Sequence, residues 1–202
     1  MAEKTYQKSA RISVSDLIFM VLEKDDLSGV KYKDDLHIAK GVTEINITVN
    51  KSEGQLSADD NPMYENYSAI DNLEVTLSLA NVPQDLKAVL LGAKIDDNGV
   101  LVTGADDTAP YVAMGFKTKL SDNSWDYEWF YKGKFAMGEM KRKSREKGNI
   151  EYQTEQLTGQ FGQRDYDGRI MVSVNENDPK FTTVKPTFFK TVYEPKFAGA
   201  GV

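Results

Sequence analysis

Along most of the chain, apolar residues recur at every second position, the period of half-buried β-strands. Leu73, Val75, Leu77 and Leu79 alternate with Glu74, Thr76 and Ser78. Ile45, Ile47 and Val49 alternate in the same way with Glu44, Asn46, Thr48 and Asn50. Trp125, Tyr127, Trp129 and Tyr131 stand against Asp126, Glu128, Phe130 and Lys132. Ile170, Val172 and Val174 predict a fourth strand, opened by the hairpin signal Asp167-Gly168. Residues 17–22 are apolar at every position and predict a central strand covered on both faces. Asn98-Gly99 predicts a two-residue type I′ turn ahead of Val100, and residues 111–116 predict a further strand.

One segment breaks the period. Leu86, Val89 and Leu90 share a face at helical spacing, Pro83 and Asp85 fall in the first turn, and Gly92 sits where a C-terminal cap belongs. The simplest account is one β-rich domain with a single short helix. Three stretches stand outside it. Residues 51–72 are long, polar and interrupted by Asp59, Asp60, Asn61 and Pro62, and predict an irregular loop of the kind that is usually functional or disordered. Residues 138–148 carry Lys141, Arg142, Lys143, Arg145 and Lys147. Residues 175–202 mix Pro179, Pro186 and Pro195 with Phe181, Phe188, Phe189, Tyr193 and Phe197, aromatics that need a surface to dock on.

The chain of 202 residues is 40% hydrophobic and 28% charged, enough to bury one core without a metal or a disulfide. Cysteine is absent, which excludes thiol nucleophiles and cysteine-ligated metals, and His37 is the single histidine. The net charge of −6 denies the protein the basic field that a nucleic-acid binder needs. The run at 17–22 falls far short of the ~20 residues of a membrane helix. The first six residues lack the apolar core of a secretory signal. We therefore expect a protein made and folded in a cytosol, without a membrane partner.

Candidate chemistry is thin. Asp25-Asp26, Asp34-Asp35, Asp59-Asp60, Asp96-Asp97 and Asp106-Asp107 could be acid and base pairs, as in glycoside hydrolysis. Adjacent strand side chains point apart, however, and such pairs are commoner in turns and solvated loops. Asp96 to Gly99 has the wrong glycine spacing for a helix–loop–helix calcium site. His37, between Leu36 and Ile38, reads as a packed or edge residue rather than a base. No phosphate loop, nucleophile elbow or dinucleotide fingerprint is present. The row from Trp125 to Tyr131 reads as the inner face of a sheet before it reads as a sugar-stacking platform. The basic residues at 141–147, flanked by Glu139 and containing Glu146, read as a solvated tip or a contact with an acidic neighbour rather than a nucleic-acid patch. No catalytic, cofactor-binding or metal-binding residue is assigned, and an enzyme is disfavoured.

Several stretches follow one another in a familiar order. They are Leu90-Leu91-Gly92, Asp97-Asn98-Gly99-Val100, the segment from Ala109 to Phe116, the segment from Trp129 to Phe135, and Gly159-Gln160-Phe161 followed by Arg164-Asp165-Tyr166-Asp167-Gly168. Their order and spacing, over about residues 17–178, resemble the phi13-type major tail protein of long-tailed, non-contractile bacteriophages.

The resemblance implies a mainly β fold, an antiparallel β-sandwich with one flanking short α-helix, a long stacking loop and an extended C-terminal arm. It divides the chain into a tail-tube domain at 1–178 and an extension or docking arm at 179–202. It implies hexameric rings stacked into a tube that conducts phage DNA, in the company of a tape measure protein and other tail proteins. Such a protein is assembled in the bacterial host cytoplasm, ends in the virion tail, and carries no cofactor.

On this reading Asp59, Asp60, Pro62 and Tyr64 belong to the ring-stacking loop. Glu44, Asn46, Thr48, Glu74 and Thr76, with Asn50 and Ser78, line the bore. They include no Lys or Arg, so phosphate slides past them. Lys141, Arg142, Lys143, Arg145 and Lys147 meet acidic residues of a neighbouring subunit, such as Asp59-Asp60 or Asp106-Asp107. The rival reading is a monomeric β-sandwich module that binds carbohydrate or a host surface through Trp125 and Trp129. A third is an enzyme working through His37.

Overall fold

The structure is a computed structural model that describes residues 8–140, 142–144, 148 and 151–197, with only the backbone of Asn61 and Pro62. Its elements are β1 (Arg11–Asp26), β2 (Gly29–Ala39), β3 (Val42–Ala58), β4 (Asn61–Leu79), α1 (Gln84–Leu91), β5 (Lys94–Ile95), β6 (Leu101–Val102), β7 (Val112–Leu120), β8 (Trp125–Met137), β9 (Glu155–Gly162) and β10 (Met171–Asn175). One antiparallel sheet runs in the order β2-β1-β7-β8-β9-β4-β3, with β10 also on β8, and β5 and β6 pair separately. The alternating segments of the sequence become β4, β3, β8 and β10, and the helix forms where its apolar spacing and flanking Pro83 and Gly92 place it.

β8 organises the sheet. Its residues 126–130 hold β10 and its residues 132–137 hold β9 along the same edge, while β7 runs along the other. The sheet folds over at this strand. Three strands separate β1 from β4 in the sheet order, yet Leu17, Phe19 and Val21 share a core with Leu73, Val75, Leu77 and Leu79. Phe19 meets Phe135 edge-on at 5.4 Å, and Leu86, Leu90 and Leu91 of α1 close the same cluster. Gly92 ends α1 at φ 73°, and a Cβ there would stand 2.2 Å from the carbonyl oxygen of Thr108, so no other residue fits.

The opposite face carries a second core. Ile18 and Met20 of β1 join Tyr127, Trp129 and Tyr131 beneath Phe181, Phe188 and Val192. The apolar run at 17–22 is thus covered on both faces. The aromatic row of β8 is interior, and the aromatics after residue 178 pack on it. Trp129 Nε1 donates to the carbonyl of Phe188 and the Tyr131 hydroxyl to that of Tyr193, each at 2.9 Å, so both polar tips are satisfied where they are covered.

Three local expectations are corrected. Residues 51–72 are paired strand, not an irregular loop: β3 and β4 stay in register from Val42↔Leu79 out to Ala58↔Asn61. Asp59 and Asp60 both sit at positive φ, 52° and 57°, and form the tight hairpin turn themselves. Asn98-Gly99 is not a two-residue turn. Gly99 alone is left-handed, its N–H donates to Asp96, and the Asp96 carboxylate accepts from the backbone of Asn98 and Val100, which lengthens the loop. Asp167-Gly168 turns the chain but joins no paired strands, because β9 and β10 both lie on β8.

Candidate functional site

The longest feature that the core does not explain is the outer part of the β3–β4 hairpin. From residue 50 to 71, every described side chain is exposed except the half-buried Ala58 and Ala69. A register shift between Asn50 and Lys51 marks where this arm leaves the body, at the pair Asn50↔Asn72. Asn50 donates to Asn72 at 2.8 Å and Ser52 to Asp71 at 2.6 Å, so cross-strand polar pairs and the backbone ladder carry the arm. Asp59, Asp60 and Tyr64 lie at its tip, where Leu56, Met63 and Tyr64 are 55%, 58% and 57% exposed. Pro62 belongs to the same tip by its backbone, in β4.

Nearer the body, the polar residues of β3 and β4 form one face. Glu44 stands opposite Ser78, Asn46 opposite Thr76, and Thr48 opposite Glu74. Glu44, Asn46, Thr48 and Glu74 are exposed, Thr76 is half-buried, and Ser78 is buried. The face continues onto β9 with Gln160 opposite Glu74 and Thr158 opposite Thr76, and onto β8 with Lys134 opposite Gln160. Lys134 lies 4.3 Å over the ring of Tyr111. The absence of cations therefore holds for residues 44–50 of β3 and 72–78 of β4 but not for the whole face, a point alternation within two strands could not reveal.

The basic stretch falls in the connection between β8 and β9, which runs from Met137 to Glu155. Arg142 reaches Glu155 at 3.5 Å and Lys143 reaches Glu151 at 3.9 Å, while Gln153 exchanges two hydrogen bonds with the Lys143 backbone. Lys141, Arg145 and Lys147 lie outside the described residues. Arg142 and Lys143 each have an acid of their own chain within 4 Å and remain largely exposed.

The remaining candidates are structural. Trp129 is fully buried. Trp125 is half-buried with Lys117 and Lys119 at 4.5 and 4.9 Å over its ring, so the pair forms no open stacking platform. His37 is half-buried on β2, opposite Phe19. Burial alone would push the Asp25 carboxyl up. Lys132 Nζ at 2.7 Å and the N–H groups of Asp165 and Tyr166 instead hold it below the usual carboxylate range. Asp96 and Asp107 accept bonds within their own turns. Among the described residues, no three acidic or histidine side chains converge to hold a metal ion.

Sequence reading missed two kinds of residue. Apart from Tyr64, the exposed apolar side chains of the arm were hidden by the polar residues around them, and Lys134 is brought to the polar face only by the pairing of β8 with β9. A match to the family described as phage tail tube protein spans residues 24–196. No curated protein matches the chain.

Proposed function

The chain belongs to the phage tail tube protein family, and from that premise we propose that it forms hexameric rings that stack into the tube conducting phage DNA. As a member it is a structural protein of the virion tail. The proposed setting is assembly in the host cytoplasm around a tape measure protein and with the other tail proteins.

One observation carries the reading: among the described residues of the arm at 50–71, every side chain but Ala58 and Ala69 is exposed. A two-stranded ribbon exposed on all sides is marginal in water, and a neighbouring copy supplies the missing cover. The sheet also ends in two edge strands, β2 and β3, each paired on one side only among the described residues. Edge-to-edge pairing of successive copies closes a ring and removes both edges, while stacking through the arms continues the assembly along the axis. In this arrangement Glu44, Asn46, Thr48, Glu74 and Thr76 face the bore, and Asp59, Asp60, Pro62 and Tyr64 contact the next ring. The basic residues from Lys141 to Lys147 meet an acidic neighbour.

Negative-stain microscopy and sedimentation test the reading. The full chain at high concentration should give rings or tubes. A variant in which Asn50 and Asn72 are joined by an Asn-Gly turn in place of residues 51–71 should keep a cooperative thermal transition and give no tubes. A full chain that stays monomeric at all concentrations, including with the tail's initiating proteins, refutes it. Tubes from the shortened variant remove the arm from the stacking contact.

A further inference from the structure

At the end of the sheet opposite the arm lies a groove between α1 and the β8–β9 connection. It has a volume of about 180 Å³ and is lined by Val82, Leu91, Leu101, Met137, Met140 and Leu157. Met137 and Met140 are 48% and 63% exposed. Methionines in such a place give an adaptable apolar surface rather than a finished core. At its rim Glu155 is shared between Lys87 at 2.9 Å and Arg142 at 3.5 Å, so two cations stand over one carboxylate and leave an excess of positive charge.

The arm tip is complementary in both respects. Leu56, Met63 and Tyr64 are exposed there, beside the acidic residues Asp59, Asp60 and Glu65. The tip cannot reach the groove of its own chain. β4 runs for 19 residues from the turn to Leu79, which sits beside the groove, and at about 3.3 Å per residue that is roughly 60 Å. Knob and socket lie at opposite ends of one strand, the arrangement that generates open head-to-tail stacks.

We infer that the tip of one copy seats Leu56, Met63 and Tyr64 in the Met137–Met140 groove of the next copy, with Asp59 and Asp60 against its Lys87 and Arg142 rim. This rests on the stacking function proposed above and names the surface that receives the arm.

The absence of cysteine makes the test direct. In the full chain, Tyr64→Cys combined with Met140→Cys is treated with a short bifunctional maleimide after assembly. A second variant pairs Tyr64→Cys with Tyr166→Cys. Tyr166 is 42% exposed and lies just past Gly162, at the end where the arm leaves. The expected result is a ladder of covalent oligomers from the Met140 pair and none from the Tyr166 pair. Tubes visible by microscopy without the Met140 ladder, or with the ladder from Tyr166, overturn the groove and leave the stacking function standing. A chain forming no oligomer by microscopy or sedimentation overturns both. As an independent arm, Met140→Asp should abolish tubes while the melting transition of the subunit stays cooperative. Tubes from a folded Met140→Asp chain count against the groove.

Discussion

Arg164 is 1% exposed, and everything around it explains why a charge can sit there. Asp167 accepts from its Nε and Nη2 at 3.0 and 2.5 Å, Glu194 accepts at 2.5 and 2.9 Å, and the guanidinium lies 4.0 Å over the Tyr131 ring. Burial would lower its proton affinity, but the bonds to Glu194 and Asp167 outweigh that and keep it charged. The residue ties the turn after β9 to the C-terminal segment that covers the aromatic row. Arg164→Met removes the fork between Glu194, which is solvent-accessible, and Asp167, which keeps Arg169 at 2.8 Å, and should cost about 1–3 kcal/mol in a denaturant titration. It should also hasten proteolysis within residues 179–197. Arg164→Lys keeps the charge and loses the fork, so its loss should be intermediate. Glu128 is the opposite case. Burial pushes its carboxyl up, Arg11 at 3.4 Å only partly offsets this, and Asp126 adds to the rise. A carboxyl that holds its proton more tightly when folded loses stability as pH climbs from the ordinary glutamate range through its raised value. Glu128→Gln should therefore melt higher than the parent at neutral pH and match it near pH 4. A difference independent of pH would show that charge is not the cause.

Elements were legible in the sequence wherever one face is buried and the other wet. Leu73, Val75, Leu77 and Leu79 read as a strand because the core takes every second side chain, and β9 and the folded-over β1 make it so. α1 read as a helix because its cap glycine and apolar spacing are local. The arm did not read as strand because neither of its faces is buried, so no alternation is imposed on it. Pro62 looked like a breaker, yet it lies where the register shifts between Leu56 and Ala58, and β9 pairs with β4 only from Leu73 onward. A proline is tolerated on such an open edge. The turn at Asp167-Gly168 was read correctly as a turn and wrongly as a hairpin. Turn chemistry is local, whereas the partner of β10 is chosen by the second core, through Val172 and Val174 against the β8 aromatics. Arg164 stands in one of the motifs that carry the resemblance, but its buried role had no signal, since its two acids stand 3 and 30 residues away and only the fold brings the second one in.

At the scale of the whole molecule the charge is divided. The protein is acidic by 6 units, its arm tip is acidic, and the connection beside α1 is basic. The polar face of β3, β4, β9 and β8 sets Glu44 and Glu74 against Lys134, while the nearby Lys132 is already held by Asp25 and Asp165 at 2.7 and 2.9 Å. A conduit lined by such a face presents little net attraction to phosphate, so a duplex passing through is not held. Reversing the sign of the face should change that. Glu44 and Glu74 are exposed, so converting both to Lys should leave the melting temperature close to that of the parent. Each ring would then carry two added cations per subunit beside Lys134. Tubes of Glu44→Lys/Glu74→Lys should retain duplex DNA at low salt and release it steeply as salt rises, because each phosphate contact releases a condensed counterion. Phage built with the variant should eject DNA more slowly than the parent. Tubes that retain no DNA, together with ejection at the parental rate, would place this face on the outside of the tube. The bore would then have to be lined by another exposed surface, since the reverse side of β4 is the core.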